Sequence, residues 1–149
     1  MEEVYEEGCW FVGDGAPRPD ALARRLRGLD PGREIFLLAE LPEAEATGDA
    51  PHGPRRGWRP VGWIEAHRYA PVRMEHVASF TLAVQAGSRG RGVGRALLRG
   101  ILPWARRAGV RKLRLDVRAD NHAARALYES EGFEVEGIER RQILRRPEW

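Results

Sequence analysis

The sequence is poor in cysteine and has no long apolar run. Cys9 is its only cysteine, which excludes an internal disulfide and a metal site built from several cysteines. No apolar stretch reaches the roughly 20 residues that a membrane-spanning helix needs. The first residues, MEEVYEEGCW, are acidic and lack the basic and apolar segments of a secretory signal. We therefore expect a cytoplasmic protein with no membrane partner.

Lysine is almost absent as well. Lys112 is the only lysine although Lys and Arg together number 25, so arginine carries nearly all of the positive charge. A genome rich in G and C produces this bias, and so does a demand for bidentate contacts with anions. The arginines are interspersed with Asp and Glu along the chain, and no stripe of basic and aromatic residues is present. We therefore expect a solvated surface of mixed charge and no nucleic-acid partner.

What is present is the pattern of a single α/β (α+β) domain over residues 1–149. Apolar runs predict strands at 34–41, 60–66, 77–84 and 112–118, and a final pair of strands within 133–144. Capping residues and helical spacing predict helices after Asp20, over 93–108 and from Asn121 or Asp120 to Glu129. The buried stripe of the 93–108 helix is predicted to be Val93, Ala96, Leu97, Gly100, Ile101, Trp104 and Ala108.

The early strands favour antiparallel neighbours and the late strand–helix order favours a parallel one, so the central sheet is predicted to be mixed. Residues 42–59 are rich in Pro, Gly and charge and indicate a flexible loop within the domain.

The segment 88–98, SRGRGVGRALL, joins a predicted strand to a predicted helix through alternating glycines and arginines. The first amides of a helix lack internal partners and lie at the positive end of its dipole, so this turn is suited to an anion. The spacing is neither that of a P-loop, which needs Lys and Ser or Thr after the glycines, nor the G-x-G-x-x-G of dinucleotide-binding folds. A glycine-rich segment that only turns the chain is the alternative interpretation.

Two motifs together make the pattern specific. Residues 89–94, RGRGVG, satisfy the pattern Arg/Gln-x-x-Gly-x-Gly/Ala, and residues 121–133, NHAARALYESEGF, combine an Asn with Leu-Tyr and Gly-Phe. In this order and separation the motifs resemble the acetyl-CoA-binding core of the GCN5-related N-acetyltransferase (GNAT) superfamily, here over residues 82–137. The resemblance implies a mixed central sheet flanked by helices, and acetyl-CoA (coenzyme A) as cofactor.

The resemblance also implies site residues. Tyr128 matches the tyrosine that serves as general acid to the leaving thiolate, although an aromatic side chain packed on the sheet is the alternative. A backbone N–H near residues 82–84 corresponds to the oxyanion donor. The cofactor-binding residues so implied are Leu82, Ala83, Val84, Arg89, Gly90, Arg91, Gly92, Val93, Gly94, Arg95, Asn121 and Tyr128.

The general base is less well indicated. Some members of the family carry a glutamate on the strand before the glycine turn, but Ala78 and Ser79 occupy that place here. Glu75 is therefore our predicted base, acting through water, with Glu65 and His76 as alternatives. Each of the three is also plausible as an exposed polar group at a strand end. No histidine shows metal-ligand spacing, so no metal is expected.

The resulting prediction is an N-acetyltransferase that moves the acetyl group of acetyl-CoA to a primary amine by direct attack in a ternary complex. The acceptor is a small molecule or a protein amine, and a homodimer is left open. The alternative is a non-catalytic acyl-CoA-binding or regulatory module. The chain departs from the family in having one convincing helix before the first apolar strand and in its 42–59 loop. In that family these regions build much of the acceptor pocket, so the departures bear on the identity of the acceptor.

Overall fold

Four strands form one mixed sheet in the computed structural model, which describes residues 24–46 and 56–140. In chain order the elements are β1 (Glu34–Pro42), β2 (Trp58–Arg68), β3 (Val77–Val84), helix α1 (Val93–Arg107), β4 (Lys112–Arg114) and helix α2 (His122–Ser130). The strands lie side by side in the order β1-β2-β3-β4. β1, β2 and β3 pair antiparallel, and β3 pairs with β4 in parallel. The predicted fold class and mixed sheet are confirmed.

Helix α1 covers one face of the sheet. Its buried side chains are Val93, Leu97, Leu98, Ile101, Trp104 and Ala105. They meet alternate residues of the strands, among them Ile64 and Phe80. Trp104 Nε1 donates a hydrogen bond to the Pro31 carbonyl at 2.9 Å, which ties the helix to the start of β1.

The predicted stripe of α1 was partly wrong. Leu98 is only 1 % exposed although the prediction omitted it, and Ala96 is exposed. Leu98 lies beside Leu97 and one turn before Ile101, so it widens the apolar face beyond a narrow stripe. Gly100 was also predicted to be buried but is exposed, although a Cβ there would lie 2.9 Å from Leu37 Cδ1, so it lies at the border of the buried face.

The end of α1 and both ends of α2 lie where their capping residues predict them. Gly109 ends α1 with φ of +73°, and the Val110 N–H donates to the Ala105 carbonyl at 2.8 Å as in a Schellman motif. Asn121 caps α2 through its side-chain oxygen, which accepts from the Ala124 N–H at 3.1 Å. Gly132 lies beyond the end of α2 with φ of +88°.

The last predicted strands require correction. β4 ends at Arg114 rather than at residue 118, and residues 133–139 form no strand. Val135 and Ile138 of this segment are exposed, and its Glu136 forms an ion pair of 2.7 Å with Lys112 of β4. The rest of the predicted 133–144 pair lies outside the described residues.

The helix predicted after Asp20 and the loop predicted over 42–59 are described only in part. Residues 24–27 are helical, and the earlier part of the helix predicted after Asp20 lies outside the described residues. The predicted loop 42–59 is narrower at both ends, because Pro42 belongs to β1 and Trp58 begins β2. Residues 47–55 of this loop also lie outside the described residues.

Candidate functional site

A large cleft opens along the outer edge of β3. β3 pairs with β4 only over Val77–Ser79, and within the described chain no strand lies beside 80–84 on that side. The cleft is lined by this edge, by the start of α1, by residues 115–120 and by α2. The edge therefore keeps main-chain donors and acceptors that a bound extended group can use.

The glycine turn lies at one end of the cleft. Gly90 and Gly92 have φ of +73° and +82°, and a Cβ built on either would meet no atom within 4 Å. The first helical bond is that of the Ala96 N–H to the Gly92 carbonyl at 2.9 Å. The N–H groups of Val93 and of the two residues after it donate to no other described residue. The turn thus presents bare amides and open space where a helix dipole attracts an anion.

The arginines of the turn are engaged by the protein itself. Arg89 Nε donates to the Val84 carbonyl at 3.0 Å. Arg91 donates to the main-chain oxygen of Glu45 at 2.6 Å and to its carboxylate at 3.1 Å. Arg95 forms an ion pair of 2.8 Å with Glu131. Arg89 and Arg95 line the cleft, whereas Arg91 is directed toward the turn after β1.

Gly94 allows close packing between α1 and its neighbours α2 and β3. A Cβ on Gly94 would lie 3.1 Å from Leu127 Cδ2 and 3.7 Å from Leu82 Cδ2. The absence of a side chain therefore lets α1 approach both α2 and β3 closely. This position serves the wall of the cleft as well as the turn.

Two buried polar residues beneath the turn were missed by sequence reasoning. Gln85 is 4 % and Ser88 0 % exposed, and among the described residues neither Gln85 Oε1 nor Ser88 Oγ has a hydrogen-bond partner. Ser is a typical turn residue and Gln is usually exposed, so the sequence carried no signal for their burial. Ser88 lines the floor of the cleft.

Tyr128 is packed on the sheet and is also placed at the cleft. Its ring packs edge-on against Phe80 and Phe133, with centroids 5.9 Å from each. It also lines the cleft. Burial raises the pKa of Tyr128 to about 12, so the hydroxyl stays protonated at neutral pH. Asn121, by contrast, uses its side-chain oxygen to cap α2.

The three residues considered as the base lie elsewhere. Glu75 precedes β3, and its carboxylate lies 3.9 Å from the guanidinium nitrogens of Arg33 and Arg68. Glu65 on β2 forms an ion pair of 2.9 Å with Arg25. Glu65, Glu75 and His76 are not among the residues that line the cleft. The structure therefore brings Tyr128 and the glycine turn to one cleft, but not Glu75.

Two other kinds of feature are absent from the described residues. Over 24–46 and 56–140, no group of three or more His, Cys, Asp or Glu side chains is placed to hold a metal ion. Over the same ranges, no helix has the length and apolarity to cross a bilayer.

Comparison with known proteins relates most of the chain to one family. Residues 8–133 match the Acetyltransferase (GNAT) family. The chain is 42% identical over 89 residues to the N-alpha-acetyltransferase RimI of Mycobacterium tuberculosis, which covers 60% of this chain and 54% of that protein. It is 39% identical over 79 residues to the [Ribosomal protein bS18]-alanine N-acetyltransferase of Escherichia coli K12, covering 53% of each. The chain thus spans about half the length of the curated relatives that it matches.

Solved structures agree on the fold. A GCN5-related N-acetyltransferase from Kribbella flavida is 30% identical, with a TM-score of 0.67 over 91% of this chain and 73% of that one. An acetyltransferase of the GNAT family from Streptococcus pneumoniae has a TM-score of 0.76 over 99% of this chain and 82% of that one. Its identity is 22%, so it supports the fold alone.

Proposed function

The chain belongs to the Acetyltransferase (GNAT) family, and from that membership we propose that it transfers the acetyl group of acetyl-CoA to a primary amine. The observation that carries the proposal is the cleft in which the bare amides at the start of α1 adjoin the unpaired edge of β3. Such a cleft suits a cosubstrate that has a pyrophosphate at one end and an extended amide chain leading from it.

The residues present fit that cosubstrate. The pyrophosphate is proposed to lie against the N–H groups of Val93, Gly94 and Arg95, where the open space over Gly92 lets it approach the backbone. The extended pantetheine arm is proposed to pair with the edge at 82–84, as a further strand would. A main-chain N–H of this edge would then serve as the oxyanion donor. The remaining residues proposed to contact the cosubstrate are Arg89, Gly90, Asn121 and Tyr128, whereas Glu45 holds the Arg91 side chain away from the cleft.

The reaction proposed is direct attack in a ternary complex. The neutral amine attacks the thioester carbonyl and the carbon–sulfur bond breaks. The Tyr128 hydroxyl, kept protonated by burial, donates to the leaving sulfur. The same apolar surroundings raise the pKa of the leaving thiol, so its thiolate accepts a proton more readily than in water. Glu75 remains the base predicted from the sequence.

The acceptor proposed is the N-terminal amine of a protein. Support comes from the relatives named N-alpha-acetyltransferase RimI and [Ribosomal protein bS18]-alanine N-acetyltransferase. An α-amino group has a pKa near 8, so about a tenth of it is neutral at pH 7, far more than for a lysine side chain. Less proton removal is therefore required of the protein.

The test has a binding arm and a turnover arm. Acetyl-CoA at about 100 times its Kd should add roughly 2.7 kcal/mol to the free energy of unfolding, seen as a rise of several degrees in Tm. A peptide with an N-terminal alanine should release free thiol from acetyl-CoA, and the same peptide with an acetylated N-terminus should not. Tyr128→Phe should lower kcat about 100-fold while the Tm shift persists.

The outcomes separate the alternatives. A Tm shift without turnover on any amine would favour the non-catalytic acyl-CoA-binding module. No Tm shift at millimolar acetyl-CoA would contradict the proposed placement of the phosphate. Transfer at an unchanged rate by the Tyr128→Phe variant would remove Tyr128 from the reaction.

A further inference from the structure

A row of polar residues crosses the whole sheet at the closed end of the cleft. Glu34 on β1 pairs with His67 on β2, His67 pairs with Ser79 on β3, and Ser79 pairs with Arg114 on β4. Directly paired residues point to the same face, with Cβ atoms about 4.5–5.5 Å apart. Ser79 and Arg114 are also the last pair before β3 and β4 separate. The row therefore lies where the cleft begins.

Side-chain contacts place this row on the sheet face that α1 does not cover. Arg114 Nη1 donates to the Tyr69 hydroxyl at 3.3 Å. The Tyr69 ring lies 6.2 Å from that of His67. The next residue along β3, Phe80, is buried on the α1 face against Tyr128. Two consecutive residues of β3 therefore face opposite sides of the sheet at the same point of the cleft. Phe80 contacts Tyr128 on the α1 side, and Ser79 belongs to the row with His67 on the other side.

We infer that His67 is the terminal proton acceptor of the transfer and that the Ser79 hydroxyl relays the proton to it, an inference that rests on the proposed acetyltransferase function. Ser79 lines the cleft, while His67 lies one strand further in. A hydroxyl both accepts and donates a hydrogen bond, which is what a relay needs. An imidazole is the side chain that changes its protonation between pH 5 and 8. Neither ring nitrogen of His67 hydrogen-bonds to another described residue, so both are open to this role.

The proton balance of the step is complete. The amine nitrogen forms its bond to the carbonyl carbon as the carbon–sulfur bond breaks. One N–H proton passes through Ser79 Oγ to a ring nitrogen of His67. The sulfur takes the Tyr128 hydroxyl proton, and the imidazolium and the tyrosinate exchange their proton with solvent before the next turnover.

Several charged groups face His67 from the elements around it. Glu34 approaches from β1. Arg114 approaches from the β4 side with its partner Asp116, whose Oδ1 accepts from Arg114 Nη2 at 2.8 Å. Glu65 lies two residues away on β2, on the same face, with its partner Arg25 at 2.9 Å.

The test compares His67→Gln with two matched variants. His76→Gln removes an exposed histidine outside the row, and Glu75→Gln removes the base predicted from the sequence. The profile of kcat/KM against pH is measured for the peptide with an N-terminal alanine, and the Tm shift with acetyl-CoA is measured beside it. In the unaltered protein both the acceptor amine and His67 must be deprotonated before transfer. The value of kcat/KM should therefore rise with pH in two steps. His67→Gln should lower kcat/KM about 100-fold at neutral pH and leave only the step that belongs to the amine.

Ser79 supplies an independent arm. Ser79→Ala should lower kcat/KM and remove the same step, whereas Ser79→Thr, which keeps a hydroxyl, should retain both. All of these variants should keep the Tm shift with acetyl-CoA, because none alters the glycine turn. A profile for His67→Gln like that of the unaltered protein would overturn the inference, as would an equal loss in His76→Gln. Loss of the step in Glu75→Gln alone would assign the base to Glu75. No transfer by the unaltered protein would instead count against the proposed function.

Discussion

The two edges of β3 differ although they belong to the same eight residues. Toward β2, the strand is paired from Ala78 to Val84, and its inward side chains join the core with α1. Toward β4, it is paired only from Val77 to Ser79. A paired edge satisfies the backbone and stabilises the fold, whereas an unpaired edge keeps donors and acceptors for a ligand. One strand thus stabilises the fold on one side and, on the other, offers the main-chain groups that the proposed function assigns to acetyl-CoA.

The largest expected effect comes from breaking the paired edge. A Cβ on Gly62 of β2 would lie 2.7 Å from the Ala83 carbonyl oxygen and 3.3 Å from Leu97 Cδ1. Because main chain cannot yield easily, Gly62→Ala should lower the free energy of unfolding by about 3 kcal/mol. Chemical denaturation measures this loss. Gly137→Ala, where a Cβ would meet nothing within 4 Å, is the control and should leave stability nearly unchanged. Equal stability of the two variants would contradict the close β2–β3 packing.

An intermediate effect should separate the ligand end of the cleft from the rest of α1. Gly92 and Gly109 flank the helix with φ of +82° and +73°, and both have open space for a Cβ. Valine at either position should cost about 2 kcal/mol of backbone strain. Only Gly92→Val should also abolish the Tm shift with acetyl-CoA, because only Gly92 lies at the proposed phosphate site. If Gly109→Val lost the shift as well, strain rather than contact with the ligand would explain it.

The smallest expected effect concerns Tyr128, which packs on Phe80 of β3 and also lines the cleft. Its pKa is raised to about 12 by burial, so above pH 10 the unfolded chain loses this proton before the folded protein does. Stability from this group is therefore present below pH 10 and declines as pH rises toward 12. At pH 11 the decline should be about 1 kcal/mol. Urea denaturation at pH 8 and pH 11 should show that Tyr128→Phe removes this part of the alkaline loss. An identical loss in the variant would place the hydroxyl in water.

Much of the fold could be predicted from the sequence because its signals are local. The continuous apolar run at 34–41 indicated β1, and Gly109 and Asn121 marked helix ends through their own backbone and side-chain chemistry. The alternation of residues 112–118 predicted a strand that is too long. Alternation indicates which side chains share a face, but it does not show whether a neighbouring strand is present to pair with. The chain leaves β3 after Arg114, whose guanidinium pairs locally with Asp116.

The candidate site could be predicted only in part for a similar reason. The glycine turn and Tyr128 lie in contiguous motifs, and the structure brings them to one cleft. The row from Glu34 to Arg114 depends on the register of four strands that are distant in sequence, and no local pattern specifies it. The partners of the turn's arginines, such as Glu45 for Arg91, likewise depend on tertiary contacts.

Amide hydrogen exchange with and without acetyl-CoA tests the central claim most directly, because it locates the ligand on the two edges. The account predicts slower exchange in peptides that cover 80–84 and 90–95 when acetyl-CoA is present, and little change over 34–41, where the strand is already paired. Protection spread evenly over the chain, or confined to segments away from β3 and the start of α1, would contradict the assignment of the unpaired edge to acetyl-CoA.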